Sequence, residues 1–354
     1  MKKYVHEADM WPDAASALKQ SLSRIPGFNV AITAAPLLPT GNRPDLLAHL
    51  THAEHQVTLI GEIIKSGEPR HARAAFYQMN KYRHALPGAL GILIAPYISP
   101  ETAKLCRDGN IGYQDLAGNC HIAFDGIYIH IEGKPNPFAH SRSLISLYQS
   151  KAERVLRVLL TQQLKSWRLQ ALAGEAEVSI GQVYKVKELL LEREWLAENN
   201  QGITVTKPQE MLAAWLEHYR FSKHQTTAFH TLIGLHHFEL DFSAMCRSLN
   251  TSCAFTSLAA AARYAPYATY QRTLAYVSGD LTDLQRAFDL TPIETGANVV
   301  LLTPYDDGVF YGARQEQDVS LASPLQTYLD LHSAGGRGIE AAEELLQKEI
   351  VPNW

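Results

Sequence analysis

The sequence lacks the apolar segments that would place it in or across a membrane. No stretch approaches the roughly 18 consecutive apolar residues that a transmembrane helix needs. The two lysines near the start, in MKKYVHEADMWPDAA, are not followed by the apolar stretch of a secretory signal peptide. We therefore expect a cytoplasmic protein with no membrane partner.

Cysteine is also scarce, and its spacing excludes the common cysteine-based sites. The four cysteines, Cys106, Cys120, Cys246 and Cys253, form no CxxC pair. This spacing indicates reduced thiols rather than a zinc site. An excess of positive charge is absent as well, because the net charge is −4. Nucleic-acid binding would therefore depend on a local basic patch rather than on the whole surface.

What remains is the composition of a globular protein with more than one core. The chain has 354 residues, of which 46% are hydrophobic and 19% are charged. Domains usually contain about 100–200 residues, so two or three domains are expected.

Residues 1–138 alternate between helix and strand signals and predict one α/β domain. Ser99-Pro100 is typical of a helix start, because serine caps a helix and proline fits its first turn. Asp125-Gly126 between two apolar runs indicates a β-hairpin. The predicted helices are about Asp13–Arg24, Arg70–Ala85 and the segment from Ser99 to near Gly109. The predicted strands are Asn29–Thr33, Asp45–Leu50, Val57–Ile64, Leu90–Ala95, Cys120–Phe124 and Ile127–Ile131.

Two of these strands and the helix after them carry polar residues in a familiar order. Pro44-Asp45 opens one strand, and Glu62 and Lys65 lie at the end of the next in GEIIKSG. Gln78 and Tyr82 follow on the helix. This set resembles the PD-(D/E)xK nuclease superfamily. The resemblance implies a restriction-endonuclease-like fold in which Asp45 and Glu62 bind Mg²⁺. It also implies catalytic roles for these two carboxylates and for Lys65, Gln78 and Tyr82.

The spacing between Glu62 and Lys65 departs from that pattern. Side chains two residues apart on a strand point to the same face, whereas side chains three apart point to opposite faces. Ile64 therefore takes the position of the catalytic lysine, unless a β-bulge at Ile63-Ile64 turns Lys65 back or another lysine substitutes. We expect the site to be degenerate, so that the protein uses no cofactor and is not an enzyme.

Two other polar groups are explained more simply by local structure. Asp115 precedes Glu132-Gly133-Lys134, which has the one-residue spacing, but this group follows the QxxxY helix. Asp115 fits the chemistry of a turn before a strand. His52-Ala53-Glu54-His55 lies between two predicted strands, which favours a loop rather than a metal site.

From about residue 150 the pattern changes to three helices and two strands. The helices are predicted at Lys151–Leu160, Arg168–Glu175 and Ser179–Leu191. The sequence REWLAENNQGITVTKP then indicates two strands around a polar turn. This order is typical of a winged helix-turn-helix.

The third of these helices has the composition of a DNA recognition helix. Val183, Val186, Leu189 and Leu190 form its apolar face, which leaves polar and basic side chains on the other side. Amides and hydroxyls can read base edges, and cations can contact phosphates. The predicted contacts to double-stranded DNA are Gln182, Tyr184, Lys185, Lys187, Arg168 and Lys165, with Arg154 and Arg157 as further phosphate contacts. A protein-interaction module is the alternative for the same fold.

The segment from about residue 220 alternates between strands and helices again. It follows a helical connector predicted at about Gln209–Tyr219. Its predicted strands are Thr273–Val277 and Val299–Thr303, and its predicted helices lie near Ser257–Arg263 and Ile339–Glu349. The segment offers no convincing pair of nucleophile and base, so an interaction or dimerisation role is expected.

Four stretches of the sequence carry a resemblance that spans nearly the whole chain. They are LIAPYISPETAKLCRDGNIGYQDLAGNCHI, GKPNPF, SKAERVLRVLL and SPLQTYLDLHSAGGRGIEAAEELL. They are similar to the AbiEi-type antitoxin and transcriptional-regulator family of type IV toxin–antitoxin systems, in its branch with a restriction-endonuclease-like first half. The resemblance implies a DNA-binding regulator that represses its own operon and opposes a nucleotidyltransferase-type toxin. A homodimer would suit DNA with paired half-sites.

The sequence therefore predicts an α/β multi-domain protein with three parts. These are a restriction-endonuclease-like domain at 1–138, a winged helix-turn-helix at 150–208 and an α/β C-terminal domain at 220–354. We expect a DNA-binding transcriptional regulator that resembles a type IV antitoxin. The alternative is a metal-dependent DNA endonuclease of the PD-(D/E)xK type, which would use Mg²⁺.

Overall fold

The chain forms two compact units, one of residues 1–142 with 191–194 and one of residues 143–190 with 195–354. The computed structural model describes residues 7–24, 26–27, 29–39, 41–52, 55–124, 126–138, 147–266 and 269–354. Apart from residues 191–194, the segments predicted as winged helix and C-terminal domain fall in the second unit. Among the described helices, none combines the length and the apolar character that a bilayer crossing requires.

The first unit is built on a seven-stranded sheet whose strands lie side by side in chain order. The strands are β1 (Asn29–Ala34), β2 (Leu46–His52), β3 (His55–Ile63), β4 (Leu90–Ala95), β5 (Gly112–Asp115), β6 (Cys120–Phe124) and β7 (Ile127–Ile131). The helices are α1 (Trp11–Leu22), α2 (Pro69–Ala85) and α3 (Pro100–Asp108). The pairs β3–β4 and β4–β5 are parallel, and the other pairs are antiparallel. Parallel neighbours need crossover connections, which α2 and α3 provide.

Alternation along the strands divides the apolar residues of this unit between two cores. α1 packs on one face of the sheet, where Leu46 and Ile63 are among the strand residues. α2 and α3 pack on the other face, with Leu47 and Ile64. Because neighbouring strand residues point to opposite faces, the central strands are covered on both sides.

The predicted elements of this unit are present, and their ends agree within two residues. The Ser99 hydroxyl accepts a hydrogen bond from the Thr102 N–H at 3.3 Å, which confirms the predicted helix cap. The predicted hairpin is formed by β6 and β7, although Asp125 in its turn lies outside the described residues. Strand β5 is missing from the prediction because it is only four residues long and ends in two polar residues.

The second unit begins with three helices and a two-stranded sheet. The helices are α4 (Ser150–Thr161), α5 (Leu169–Glu175) and α6 (Ile180–Glu192), and the strands are β8 (Leu196–Asn199) and β9 (Gly202–Val205). β8 and β9 are antiparallel, and Trp167 forms a further bridge to Ile203 of β9. The ends of the three helices agree with the prediction within one residue. They agree because the apolar spacing is regular and Ser179 marks the start of α6.

A six-stranded mixed sheet forms the rest of the second unit, with the strand order β10-β13-β12-β11-β15-β14. The strands are β10 (Gln225–Phe229), β11 (Cys253–Thr256), β12 (Thr273–Val277), β13 (Val299–Thr303), β14 (Arg314–Glu316) and β15 (Val319–Leu321). The helices are α7 (Pro208–His218), α8 (Leu235–Ser248), α9 (Ser257–Tyr264), α10 (Thr282–Ala287), α11 (Pro324–Ala334) and α12 (Arg337–Leu345). The bounds of β12 and β13 are those predicted. α11 is not predicted, because it is buried on all sides from Pro324 to Leu331 and shows no amphipathic period.

Gly202 allows a close approach between β9 and the chain around Trp167. Its φ is +138°, a backbone conformation that residues with a Cβ rarely adopt. A Cβ built at this position would lie 2.3 Å from the Trp167 carbonyl oxygen. Only glycine fits here without a shift of the backbone.

Replacing Gly202 with alanine should therefore destabilise the second unit. The new Cβ would clash with backbone atoms, which cannot move aside as the end of a side chain could. We expect the free energy of unfolding to fall by about 2–3 kcal/mol. Urea denaturation followed by tryptophan fluorescence measures this loss, because Trp11 is the one tryptophan of five outside the second unit.

Gly174 in α5 provides the matched control in the same unit. A Cβ built there meets nothing within 4 Å, so Gly174→Ala should raise the free energy of unfolding by up to about 1 kcal/mol. A loss of similar size in both variants would contradict the close approach at Gly202.

Candidate functional site

The carboxylates of Asp45 and Glu62 lie together where β2 begins and β3 ends. The antiparallel pairing of Leu46 with Gly61 places Asp45 opposite Glu62. The Asp45 N–H donates to the Gly61 carbonyl at 3.1 Å, and the Asp45 carboxylate accepts from the Ile63 N–H at 2.7 Å. Strand pairing thus brings these two candidate residues into one group.

Burial and mutual repulsion change the acidity of this pair. Burial raises the pKa of Glu62 to about 7, and the negative charge of Asp45 adds to the rise. Burial also raises the pKa of Asp45, while the hydrogen bond from Ile63 acts in the opposite direction. A proton or a cation between the two carboxylates would relieve their repulsion.

Helix α2 brings Tyr82 to the same group. Tyr82 is 4% exposed and hydrogen-bonds to Glu62, which lowers the pKa of that carboxyl. Burial, followed by the charge of Glu62, raises the pKa of Tyr82. Gln78 lies one turn earlier on α2 and is half-buried.

Lys65 does not join these residues. β3 continues without a bulge, since Glu62 pairs with Leu93, Ile63 pairs with Ile94, and the Ile64 N–H donates to the Ile94 carbonyl at 2.8 Å. Ile60 and Ile64, two residues on either side of Glu62, both lie in the core under α2. Ile64 therefore occupies the lysine position, and Lys65 follows the strand as an exposed residue.

Asp45 and Glu62 are the residues of this group that could hold a divalent cation. One carboxylate oxygen of Glu62 is buried and has no hydrogen-bond partner among the described residues, which favours a ligand there. However, the described part of the chain contains no group of three histidine, cysteine, aspartate or glutamate residues arranged to hold a metal. The group therefore offers two carboxylates to a cation but lacks the lysine of the nuclease set.

The second acidic group in the first unit is held by local hydrogen bonds. Buried Asp115 accepts from the backbone N–H and the side-chain amide of Asn119, both at 2.7 Å, and from the Ile98 N–H at 3.2 Å. The interpretation of Asp115 as turn chemistry is therefore confirmed. Glu132 accepts hydrogen bonds from Arg107 and from the Tyr113 hydroxyl.

The two histidines of the predicted loop between strands end β2 and begin β3. His52 and His55 are partners in the antiparallel register of these strands. Ala53 and Glu54 between them lie outside the described residues.

The first half of α6 presents polar side chains on the surface of the second unit. The Ser179 hydroxyl accepts from the Gln182 N–H at 3.2 Å and begins the helix. Tyr184 and Lys185 are exposed, and Gln182 is half-buried. Gln182 and Lys185 are three residues apart and so are neighbours on the helix surface.

Lys187 is not exposed on this helix, contrary to the prediction. It is 7% exposed, and its Nζ lies 3.1 and 3.2 Å from the two carboxylate oxygens of Glu198 in β8. A second carboxylate, that of Glu188, is 3.3 Å away. Burial alone would lower the pKa of Lys187, but its hydrogen bonds to these two glutamates raise it. Lys187 fastens α6 to β8 and is not available to a phosphate.

Arg154 and Arg157 were also predicted as phosphate contacts, and their positions contradict this. Arg157 is 3% exposed, and its guanidinium donates to Gln326 Oε1 at 2.7 and 3.2 Å. Arg154 donates to Asp306 and to Glu177, each at 2.7 Å. Asp306 and Gln326, both in the C-terminal part of the unit, hold these two arginines.

The remaining basic candidates are accessible. Lys165 and Arg168 are exposed on either side of Trp167, whose bridge to Ile203 places them beside β9. The Lys165 Nζ lies 3.7 Å from the centre of the Trp167 ring, so a cation–π contact orients it.

A buried polar network in the second unit is the main feature absent from the sequence interpretation. Its centre is Asp330 of α11, which accepts from Tyr219 Oη at 2.6 Å, Tyr276 Oη at 2.9 Å and Gln326 Nε2 at 2.9 Å. Burial raises the pKa of Asp330 to about 6, although these donors act against the rise. The network residues are far apart in the chain, so no motif marks them. The one signal is the set of polar residues in PLQTYLDLHSA.

The family match and the structural match described here each cover less than half of the chain. A family model described as "Transcriptional regulator, AbiEi antitoxin, Type IV TA system" matches residues 204–351. A search of curated proteins gave no match. Among solved structures, "Structure of EndoMS in apo form" matches at 18% identity with a TM-score of 0.22. That match covers 32% of this chain and 47% of the other, so the chain spans about half of that protein's length.

These comparisons define one part of the protein in outline. The chain from the β9 strand onwards is similar to a family of antitoxins that are transcriptional regulators. The similarity to the EndoMS structure is too small to support a statement about this chain.

The acidity of Glu62 predicts a stability that depends on pH. Folded Glu62 keeps its proton up to about pH 7, whereas the ordinary value for the unfolded chain is 4.5. The folded state therefore binds the extra proton between these values, and the contribution of this group to stability falls as the pH rises from about 4.5 to about 7.

Replacing Glu62 with glutamine removes that titration and keeps the shape of the side chain. We expect Glu62→Gln to raise the melting temperature at pH 8, where the wild-type carboxylate is charged and repelled by Asp45. At pH 4.5 the two proteins should melt at nearly the same temperature. Thermal unfolding followed by circular dichroism measures the difference, and an equal difference at both pH values would contradict the raised pKa.

Proposed function

We propose that this protein is a DNA-binding transcriptional regulator of the antitoxin type. The observation that carries the proposal is the similarity of residues 204–351 to a family of AbiEi antitoxins that are transcriptional regulators. The elements α4 to β8 precede the matched segment, and β9 overlaps its start. Their order is that of a winged helix-turn-helix. A regulator needs a part that reads DNA, and this is the part of the chain that fits the role.

In this proposal the first half of α6 enters the major groove of double-stranded DNA. Gln182 and Tyr184 face base edges, and Lys185 contacts a phosphate. Lys165 and Arg168 contact the backbone next to the β8–β9 turn. Lys187 has no DNA contact, because Glu198 and Glu188 hold it.

The C-terminal part of the second unit is proposed to bind the regulatory partner. Arg157 and Arg154 of α4 donate hydrogen bonds to Gln326 and Asp306 in this C-terminal part. In this proposal, a partner bound there acts on α4 and, through it, on the position of α6. The proposed partner is a cognate toxin of the nucleotidyltransferase type. A homodimer would present two copies of α6 to paired half-sites, as a two-fold axis requires.

The first unit is proposed to be a nuclease-like domain that does not cut DNA. The alternative function, a metal-dependent DNA endonuclease, is favoured by one observation, the raised pKa values of the paired Asp45 and Glu62. Perturbed carboxyls are common at functional sites. The missing lysine weighs against cleavage, since Ile64 fills its position in the core.

The DNA contact is tested with Lys185→Ala. The variant should weaken binding to duplex DNA by about tenfold, since one charge-assisted phosphate contact is lost. It should also lower the slope of log affinity against log salt concentration by about one. Fluorescence anisotropy with a labelled duplex from the region upstream of the gene, at several salt concentrations, measures both effects.

Lys348→Ala is the control for charge. Lys348 is exposed on the same unit and pairs with Glu344 at 2.6 Å, away from α6 in the chain. This variant should keep the wild-type affinity and slope. Equal effects of the two substitutions, or no binding by the wild-type protein, would refute the proposed contact.

The nuclease alternative is tested by incubating supercoiled plasmid with the purified protein and Mg²⁺ or Mn²⁺. We expect the plasmid to stay supercoiled, because Ile64 fills the position at which the nuclease resemblance implies a lysine. Nicking that is abolished in Asp45→Ala would establish the alternative function. Nicking that persists in Asp45→Ala would point to a contaminating enzyme.

A further inference from the structure

Two of the cysteines lie together in the core beside the six-stranded sheet. Cys246 is in the last turn of α8 and Cys253 begins β11. Both belong to the same cluster of buried side chains, and their thiols hydrogen-bond to each other. The two cysteines are free, so the pair is present as a dithiol.

The turn between α8 and β11 brings these two cysteines into contact. Asn250 takes the left-handed backbone conformation, with a φ of +52°, and the Thr251 N–H donates to the Cys246 carbonyl at 2.9 Å. This arrangement ends the helix and folds the chain back against its last turn. β11 pairs with β12 from Cys253 onwards. Backbone hydrogen bonds therefore fix both partners at the point where the thiols meet.

The surroundings make Cys253 the more reactive thiol of the pair. The hydrogen bond from Cys246 lowers the pKa of Cys253, although burial acts against this. A hydrogen bond from Ser320 and the positive charge of Arg247 lower the same pKa further. The thiolate is the nucleophilic form of cysteine. Cys253 is also the most accessible of the four cysteines, at 9% exposed.

Cys246 has the properties of a second, resolving thiol. It is 1% exposed, and its contact with Cys253 raises its pKa, as does burial. It therefore stays protonated and shielded while Cys253 reacts first. A thiol that lies beside a reactive cysteine can then close a disulfide.

We propose that Cys246 and Cys253 form a reversible disulfide when the protein meets a peroxide. The Cys253 thiolate attacks one peroxide oxygen, which breaks the O–O bond and leaves a sulfenic acid on Cys253 and a hydroxide. The Cys246 sulfur then attacks the Cys253 sulfur, so that the S–S bond forms and the sulfenic hydroxyl leaves. The two thiol protons convert the two hydroxides to water. The thiols lose two electrons in total, and the peroxide gains them.

The other two cysteines provide a control within the same chain. Cys106 lies in the core under α2 and α3, whereas Cys120 lies in the core under α1 on the opposite face of the first sheet. The sheet separates these thiols, and burial raises the pKa of both. We expect them to stay reduced while the pair is oxidised.

Tryptic mapping of the full chain tests the disulfide, because Arg247 lies between the two cysteines. Cleavage after Arg247 leaves Cys246 in residues 224–247 and Cys253 in residues 248–263. The protein is treated with hydrogen peroxide, and its remaining thiols are blocked with N-ethylmaleimide. We expect the two peptides to be joined, with a mass lower than their sum by two hydrogen atoms. Dithiothreitol should separate them, and Cys106 and Cys120 should carry the maleimide.

Cys246→Ala separates the two steps of the reaction. Without the resolving thiol, Cys253 should stop at the sulfenic acid, which dimedone traps as an adduct. Cys106→Ala is the matched control for the loss of a buried cysteine, and its peptides 224–247 and 248–263 should be joined as in the wild type.

The mapping of the wild-type protein needs no substitution, so its outcome does not depend on the folding of a variant. The proposal is overturned if peroxide leaves the two peptides separate, or if all four cysteines are oxidised alike. It is also overturned if denaturing electrophoresis without reductant shows that the joined peptides come from two linked chains.

Discussion

The second unit depends on the buried carboxyl of Asp330. This carboxyl accepts hydrogen bonds from Tyr219 after α7, Tyr276 in β12 and Gln326 in α11. Gln326 in turn accepts from Arg157, which belongs to α4. A buried donor without a partner costs about 1–3 kcal/mol, so each of these groups resists separation from the others. The network thereby joins α4 of the three-helix segment to the six-stranded sheet, whose strands lie within residues 204–351 that the antitoxin family model matches.

The first unit shows the opposite situation, a half-buried carboxylate pair whose hydrogen bonds do not offset the cost of burial. Asp45 and Glu62 repel each other, and burial adds to the cost of their charges. In a working nuclease site a metal and a lysine would offset that cost. Here Ile63 and Ile64 pack into the cores on opposite faces of the sheet. The first unit therefore holds two neighbouring carboxylates, while the apolar side chain of Ile64 fills the position at which the nuclease resemblance implies a lysine.

The sequence predicted the elements that are regular and missed the contacts that are long-range. The bounds of α4, α5 and α6 follow from apolar spacing, and the position of Ile64 follows from strand alternation. Lys187 was misplaced because helical periodicity shows which side of α6 is polar but not that Glu198 of β8 folds over it. Asp330 was missed because its partners come from elements up to 111 residues away in the chain.

The central claim is that α6 is the element that meets DNA, and photo-crosslinking tests it most directly. A photoreactive phenylalanine analogue, p-benzoylphenylalanine, would replace Tyr184 in the full chain, which is then irradiated with a duplex from the upstream region. The same analogue at Tyr77 of the first unit is the control. Tyr77 is 65% exposed and Tyr184 is 52% exposed, so the control position is at least as accessible. The account predicts a covalent DNA adduct from position 184 and none from position 77. DNA binding without an adduct at position 184, or with equal adducts at both positions, would contradict it.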